Sequence, residues 1–184
     1  DGAEIYRIKD KSGRLLRLKL FQVKSLSPFR FSADKELNEI HILQQLNNDN
    51  IIKLEGSGET IINGERYFFL VTNFVSGESC LDRLKRQGRL NPYAVIPIII
   101  ELLETIEYLQ SFDDPIIHND ITPENVYLNY QDKKEIPVLT NFSSALHFSR
   151  STKYFSNQLL NPLYMAPEQF NNLTLPQSDL FSVG

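Results

Sequence analysis

The change of hydrophobic pattern near residue 75 constrains the fold of this chain more than any other feature of its sequence. Before that point, β-favouring runs with alternating apolar residues, such as "AEIYRIKD" and "GRLLRLKLFQV", predict strands joined by short turns. The dipeptide Asn63-Gly64 lies between two further runs of this kind and predicts a tight hairpin. The first part of the chain is therefore predicted to form a small antiparallel sheet.

One helix is predicted to interrupt these strands. The apolar residues Leu37, Ile40, Leu43 and Leu46 recur at helical spacing, and Ser32 is a residue type that caps the start of a helix. The sequence thus predicts a single helix between the second and the third strand, beginning near Ser32.

After the change of pattern, the sequence predicts mainly helices and loops. A short helix is expected to begin at Ser79, the first residue of a capping box. A longer helix has Asn91 as its cap and Pro92 at its first position, and it runs to about Phe112. This order of elements indicates an α+β chain with two lobes.

Composition excludes several classes of function. A net charge of −4 gives no basic footprint for nucleic acid or for an anionic membrane. The longest apolar run, "AVIPIII", is far too short to span a membrane. Cys80 is the only cysteine in the sequence, which excludes an intrachain disulfide and a cysteine-based zinc site and favours an intracellular, cytoplasmic location.

The stretch "HNDITPEN" places an Asp and an Asn five residues apart behind a His. Asp120 and Asn125 both offer a side-chain oxygen, but only the carboxylate of Asp120 accepts a proton as a base. This pairing suits a site in which one oxygen holds a hydroxyl group and the other holds a metal ion. The alternative interpretation is a polar turn with an Asx cap.

Along nearly its whole length, the sequence resembles a protein kinase. The motifs that carry the resemblance occur in order: "LRLKLF", "LNEIHIL", "HNDITPEN", "TNFS", "YMAPE" and "SDLFSVG". Each motif is weak alone, but together they identify the fold, and "PLYMAPE" and "PEN" resemble the Ser/Thr branch. Small-molecule phosphotransferases also carry a His-x-Asp loop, but they usually lack the Ala-Pro-Glu segment.

This resemblance implies a two-lobed α+β fold, of which the chain holds a part. Residues 1–75 would form the N-terminal lobe, a small antiparallel β-sheet with a regulatory helix. Residues 76–184 would form a partial, mainly helical C-terminal lobe with the catalytic loop and the activation segment. Because Asp1 is not a natural start, we expect a fragment that lacks most of the Gly-rich loop and the C-terminal helices, with possible neighbouring domains.

By the resemblance, Lys19 would hold the α- and β-phosphates of ATP, and Glu39 would pair with Lys19 to fix its position. Without the resemblance, Lys19 is a solvated strand lysine and Glu39 is a charge on a helix surface. Lys24 competes for the same role. Lys19 is preferred because it lies six residues past the turn residue Gly13, the usual register of such hairpins.

The resemblance gives the loop residues catalytic roles. Asp120 would accept the proton of the acceptor hydroxyl or orient that hydroxyl, and Asn125 would hold a Mg²⁺ ion. His118 is expected to pack as a structural residue, near Phe142, rather than to act as a base.

Four residues would surround the nucleotide base. Thr72 resembles the gatekeeper, the backbone groups of Asn73 and Val75 would bond the edge of the base, and Tyr127 would lie under it. Each of the four is equally compatible with an ordinary place in the core or the linker.

The sequence departs from the family at positions that handle charge near the transferred phosphate. Asn141, in "TNFS", replaces the main metal-binding Asp, so that any metal role for it is weak, and Ser143 replaces a flexible Gly. Thr122 replaces a Lys that contacts the transferring phosphate, a loss that should cost transition-state stabilisation.

Three further departures concern loop phosphorylation and packing. Asn119 replaces the Arg that normally pairs with a phosphorylated activation loop. Arg17 stands where a small Ala normally packs on the adenine, and Asn161 replaces the Thr that links the substrate loop to the catalytic Asp.

These observations leave three hypotheses about function. The first is a pseudokinase-type regulatory or scaffolding module that binds ATP weakly or not at all and acts through a protein partner. The second is a divergent active Ser/Thr kinase that uses ATP and Mg²⁺ to phosphorylate a protein substrate. The third is an interaction module whose pocket is occluded by Arg17.

Overall fold

The computed structural model of the protein describes residues 3–31, 36–131, 134–153 and 160–184. Backbone contacts divide the chain into two compact units. The first consists of Asp1–Asn47 and Ile52–Phe74, and the second of Asn48–Ile51 and Val75–Gly184. The lobe ranges 1–75 and 76–184 stay a prediction.

The first unit is built on one antiparallel sheet of four strands. These strands are β1 (Ala3–Lys9), β2 (Leu15–Gln22), β3 (Leu54–Ile62) and β4 (Glu65–Asn73). Their order in the sheet is β1-β2-β4-β3, so β2 pairs with a neighbour on each side. Alternate residues of β2 and β4, such as Phe21 and Leu70, are buried on one face, as strand geometry requires.

The turn between β3 and β4 confirms the hairpin that the sequence predicts. Asn63 has a φ of 52° and Gly64 has a φ of 81°, the two positive values that a tight hairpin turn of this type needs. The strands pair in register from Ile62 opposite Glu65.

The helix of the first unit, α1, spans Asn38–Leu43 and is shorter than the sequence predicts. Leu37 occupies its N-cap position without a side-chain cap, and Leu46 lies beyond its end. The predicted cap, Ser32, lies outside the described residues. The apolar spacing overestimates the helix because Leu37, which is buried, belongs to the core without being helical.

The second unit contains three α-helices and five short strands within its described residues. The helices are α2 (Cys80–Gln87), α3 (Pro92–Gln110) and α4 (Pro176–Val183). The strands are β5 (Glu78–Ser79), β6 (Ile116–Ile117), β7 (Val126–Gln131), β8 (Lys134–Leu139) and β9 (Leu146–His147). They form two antiparallel sheets, with the orders β5-β7-β8 and β6-β9.

Both helices predicted after the change of pattern are present. The Ser79 hydroxyl accepts a hydrogen bond from the Asp82 N–H at 3.0 Å and caps α2. Asn91 caps α3 by accepting from the Tyr93 N–H at 3.0 Å, and Pro97 lies inside that helix. Helical spacing aligns the buried residues of α3, which are Ile98, Leu102, Thr105, Ile106 and Leu109.

The mixture of an antiparallel sheet with a few helices confirms the predicted α+β class and is consistent with the fold that the resemblance implies. Over the residues that the structure describes, no helix is both long and apolar enough to cross a membrane.

Candidate functional site

Lys19 and Glu39 form a buried ion pair in the first unit. Lys19 lies on β2, the strand with neighbours on both sides, and Glu39 lies in the first turn of α1. The Lys19 Nζ atom is 2.7 Å from Glu39 Oε1, and the two side chains are only 7% and 3% exposed. Burial lowers the pKa of Lys19, while the adjacent Glu39 carboxylate raises it. The pairing that the resemblance implies is therefore present as a charged contact inside the unit.

Lys24, the competing lysine, has a different environment. It lies in the short 3-10 helix Val23–Ser25, and its Nζ atom is 2.7 Å from Glu65 Oε1. The side chains of Lys24 and Glu65 are 60% and 45% exposed. Lys24 thus forms a surface pair, whereas Lys19 is the buried lysine next to α1.

Arg30 is a second cation on the Glu39 carboxylate, and the sequence pattern does not indicate it. Its Nη2 atom is 3.5 Å from Glu39 Oε2, and its guanidinium carbon lies 5.0 Å from the centre of the Phe21 ring. Burial lowers the pKa of Arg30, and Glu39 opposes that shift. One carboxylate therefore faces two cations, the buried Lys19 and the half-buried Arg30.

The four residues predicted to surround the nucleotide base differ in their burial and in their backbone hydrogen bonds. Thr72 is buried on β4, opposite Arg17 of β2. The N–H of Asn73 donates to the Lys53 carbonyl at 3.0 Å, so it is already used inside the first unit. In the second unit, Val75 is buried and Tyr127 is half-buried on β7. Their roles at a nucleotide base stay predictions.

Asp179 anchors the start of the loop that carries Asp120. Its Oδ2 atom accepts from the His118 N–H at 2.7 Å, and its Oδ1 atom accepts from the Asn119 N–H at 2.8 Å. Asp179 lies on α4 and is buried. Burial raises its pKa to about 7, while the two N–H donors oppose this shift. The carboxylate holds two consecutive backbone groups and so fixes the direction of the loop.

Asn119 ties the same loop to the segment before α4. Asn119 has a φ of 68°, in the left-handed region, which Asn tolerates better than most residues. Its Oδ1 atom accepts from Gln169 Nε2 at 2.6 Å and from Thr174 Oγ1 at 3.4 Å, and all three side chains are buried. A neutral network thus occupies the position where the resemblance expects an Arg.

The Asp120 carboxylate is oriented by Asn125. The Asn125 Nδ2 atom donates to the Asp120 carbonyl at 2.8 Å and to Asp120 Oδ2 at 2.9 Å. Burial raises the pKa of Asp120 to about 6, and the hydrogen bond from Asn125 opposes that shift. A carboxylate with this pKa is ionised at neutral pH and is able to accept a proton.

Asn141 completes the group. Its Nδ2 atom donates to Asn125 Oδ1 at 3.2 Å, and its φ of 63° places its backbone in the left-handed region. The next residue, Phe142, is fully buried against His118, with ring centres 4.6 Å apart in an edge-to-face arrangement. This contact confirms the expectation that His118 packs near Phe142, and it holds the backbone that carries Asn141.

The donor set does not fit a divalent cation in this arrangement. Mg²⁺ prefers carboxylate, phosphate and water oxygens. Here Asn125 and Asn141 are neutral, and the Asn125 oxygen already accepts a hydrogen bond from Asn141. Among the described residues, no group of three or more His, Cys, Asp or Glu side chains could hold a metal ion. The metal role of Asn125 and Asn141 stays a prediction that this geometry does not favour.

Comparison with known proteins gives one family. The family model described as "Protein kinase domain" matches residues 2–184. Over 190 residues, or 99% of this chain, the sequence is 27% identical to the probable serine/threonine-protein kinase PknB of Bifidobacterium longum. Over 191 residues, or 98% of this chain, it is 27% identical to the probable serine/threonine-protein kinase samkB of Dictyostelium discoideum.

A third relative is more similar over a shorter stretch. The serine/threonine-protein kinase PknA of Nostoc sp. is 36% identical over 123 residues, or 64% of this chain. The matched stretches cover 21%, 27% and 30% of PknA, PknB and samkB, so the chain spans less than a third of each of these relatives.

Proposed function

Because this chain belongs to the protein kinase family, whose model matches residues 2–184, we propose that it acts as a pseudokinase-type regulatory module. One observation carries the proposal. At the position of the family's metal-binding carboxylate, the amide of Asn141 donates a hydrogen bond to Asn125. A neutral donor here removes the negative charge that would hold a cation beside the transferring phosphate.

Nucleotide binding is the part of the family's function that we propose the chain keeps in weakened form. The buried Lys19–Glu39 pair supports it, since a fixed ammonium group is suited to hold the α- and β-phosphates of ATP. Thr72, the backbone of Asn73 and Val75, and Tyr127 are proposed to contact the base. Because the N–H of Asn73 already donates to the Lys53 carbonyl, the contact proposed for Asn73 is through its own carbonyl.

Slow phosphoryl transfer is expected because neutral side chains lie around Asp120. Thr122 and Asn119 stand where the resemblance expects a Lys and an Arg, and both are buried. Loss of a cation near developing negative charge raises the barrier to phosphoryl transfer. We propose that the domain acts through a protein partner or on a neighbouring domain of a longer chain.

A divergent active Ser/Thr kinase is the second candidate, and Asp120 favours it. The carboxylate is oriented by Asn125, and its raised pKa of about 6 suits a general base near neutral pH. If this candidate is correct, phosphoryl transfer to a protein hydroxyl should fall as the pH drops through about 6, because Asp120 becomes protonated.

A thermal-shift experiment on the full-length protein tests the proposal. ATP should raise the melting temperature, since a ligand that binds only the folded state stabilises it. Lys19→Met should remove the shift, whereas Lys24→Met, the matched surface control, should retain it. Absence of a wild-type shift, with or without Mg²⁺ or Mn²⁺, would exclude both nucleotide-binding candidates.

A phosphotransfer assay separates the two candidates. The pseudokinase proposal requires that wild type and Asp120→Ala incorporate phosphate at the same background level. Transfer by wild type that Asp120→Ala abolishes would establish the active kinase instead. If ATP binds only after Arg17→Ala, the pocket of the native chain is occluded and the interaction module is the correct description.

A further inference from the structure

The orientation of the Asn125 amide is determined by its neighbours. Its Nδ2 atom faces the Asp120 carbonyl at 2.8 Å and Asp120 Oδ2 at 2.9 Å. A carbonyl and an ionised carboxylate can only accept hydrogen bonds, so the Asn125 amide must present its NH₂ group to them. The Oδ1 atom of Asn125 therefore points the other way, towards Asn141.

This orientation in turn decides what Asn141 offers. Because Asn125 Oδ1 is an acceptor, the atom 3.2 Å from it on Asn141 must be the NH₂ group. An ionised carboxylate in place of Asn141 has no hydrogen to donate and would set two acceptors against each other. Of Asn and an ionised Asp, which are similar in size, only Asn at position 141 completes the chain of hydrogen bonds that runs through Asn125 to Asp120.

The backbone holds Asn141 where this bond is made. Asn141 is the N-cap residue of the 3-10 helix Phe142–Ser144, with a left-handed φ of 63° that Asn adopts at low cost. Phe142 is fully buried against His118. The backbone position from which the Asn141 side chain extends is therefore fixed.

We propose that Asn141 is a positioning residue that takes the place of a divalent cation. Its NH₂ group gives the Asn125 oxygen the positive partner that a metal ion would otherwise supply, and through Asn125 it aligns the Asp120 carboxylate. This half of the site is complete without Mg²⁺ or Mn²⁺ and does not bind either ion. The inference rests on the proposed function in one respect, which is that Asp120 is the residue that Asn125 and Asn141 align.

Metal binding would have to undo this arrangement. A cation at Asn125 Oδ1 requires the Asn141 amide to turn its oxygen inward, which breaks the Asn141–Asn125 hydrogen bond. In exchange for the broken hydrogen bond, the cation would gain one neutral amide oxygen, which is a weak ligand for a hard cation that prefers carboxylates. The hydrogen-bonded arrangement should therefore persist at millimolar metal concentrations.

The test measures the melting temperature of the full-length protein with Mn²⁺ or Mg²⁺ alone, and Asn141→Asp is the main variant. Wild type should show no metal-dependent shift. Asn141→Asp should melt lower than wild type in a chelator and gain a metal-dependent rise of about 2–4 °C. A rise in wild type equal to that of the variant would overturn the proposal, and so would a variant that shows no response to metal.

Asn172→Asp is the matched control. Asn172 also has a left-handed φ, of 59°, also flanks a short 3-10 helix, and is exposed. It receives the same change of charge on the same backbone conformation, so it should show no metal response. A control that responds as Asn141→Asp does would mean that the added charge alone causes the effect, and the proposal would fail.

Two further measurements keep the test decisive if Asn141→Asp does not fold. Asn141→Ala removes the donor without adding charge, so metal should not restore its melting temperature; restoration would contradict the proposal. The paramagnetic resonance signal of Mn²⁺ should be unchanged by wild-type protein, and its loss through binding at sub-millimolar metal would also contradict it. ATP is absent from all of these measurements, so a failure of nucleotide binding leaves their outcome clear.

Discussion

The two groups of residues that the kinase resemblance selects are built from different chemistry. In the first unit, Lys19 and Glu39 form a buried pair of full charges, and the half-buried Arg30, which the resemblance does not indicate, joins them in one charged cluster. In the second unit, Asn125 and Asn141 align Asp120 through neutral amides.

This difference has a physical consequence. Removing Glu39, the carboxylate that the two cations share, leaves both of them without a counter-charge, which is strongly destabilising. Removing one amide of a hydrogen-bonded chain costs only the unmet hydrogen bonds. Substitution of Glu39 in the charged cluster should therefore lower the free energy of unfolding more than substitution of Asn125 or Asn141 in the group beside Asp120.

The largest expected effect comes from breaking the charged cluster. Glu39→Leu should lower the free energy of unfolding by about 3–5 kcal/mol, because the buried Lys19 and the half-buried Arg30 both lose the carboxylate that faces them. Urea denaturation measures this loss. Glu65→Leu is the control, since its partner Lys24 is 60% exposed and no measurable change is expected. Equal effects in the two variants would mean that the Glu39 pair is solvated.

Asp179 extends the comparison because it is an ionisable group, rather than an amide, that holds the loop of the second unit. Its pKa rises from 3.8 in the unfolded chain to about 7 in the folded protein. The folded state therefore keeps its proton where the unfolded state has lost it. Stability from this group is full below about pH 4 and is lost as the pH rises to about 7, with a slope of at most about 1.4 kcal/mol per pH unit.

Asp179→Asn removes this pH dependence. Relative to wild type, the variant should be most destabilised near pH 4.5, and the gap in unfolding free energy should narrow towards pH 8. Urea denaturation at both pH values measures the gap. A constant gap would mean that the N–H groups of His118 and Asn119 keep the carboxylate ionised throughout the range.

The sequence predicts the parts of the fold that depend on local chemistry. Asn63-Gly64 supplies the two positive φ values of its hairpin, and Asn91 caps α3, so turn and cap residues locate these elements. The predicted extent of α1 is too long, because Leu37 and Leu46 have helical spacing but are not helical. Hydrophobic periodicity reports burial, and a buried residue next to a helix matches the same pattern.

The candidate site could be predicted less completely. The resemblance places Lys19 with Glu39 and Asp120 with Asn125, but it does not give the direction of a hydrogen bond. That Asn141 donates to Asn125 follows only from the acceptors around the Asn125 amide. Arg30 could not be predicted, because its contact with Glu39 depends on tertiary packing and no spacing along the chain indicates it.

Asn119→Ala tests the neutral network of the second unit. The change leaves the buried Gln169 amide without its acceptor and places Ala in a left-handed conformation. The expected loss of unfolding free energy is about 1–3 kcal/mol, measured by urea denaturation. Asn172→Ala carries the same backbone strain at an exposed position, so the difference between the variants isolates the network. No difference would mean that Gln169 and Thr174 are satisfied without Asn119.

The smallest effect is expected inside the charged cluster itself. Arg30→Met removes the cation that is 3.5 Å from Glu39 and leaves the one at 2.7 Å, Lys19, in place. Because the desolvation penalty of the half-buried guanidinium disappears along with its attraction to the carboxylate, the net change should be about 1 kcal/mol or less. Lys19→Met, by contrast, removes the shorter contact and should cost more, with both variants compared by urea denaturation. If Arg30→Met proves to be the more damaging change, Arg30 and not Lys19 is the main partner of Glu39, and the main contact of α1 in the charged cluster is with the 3-10 helix Pro28–Arg30 rather than with β2.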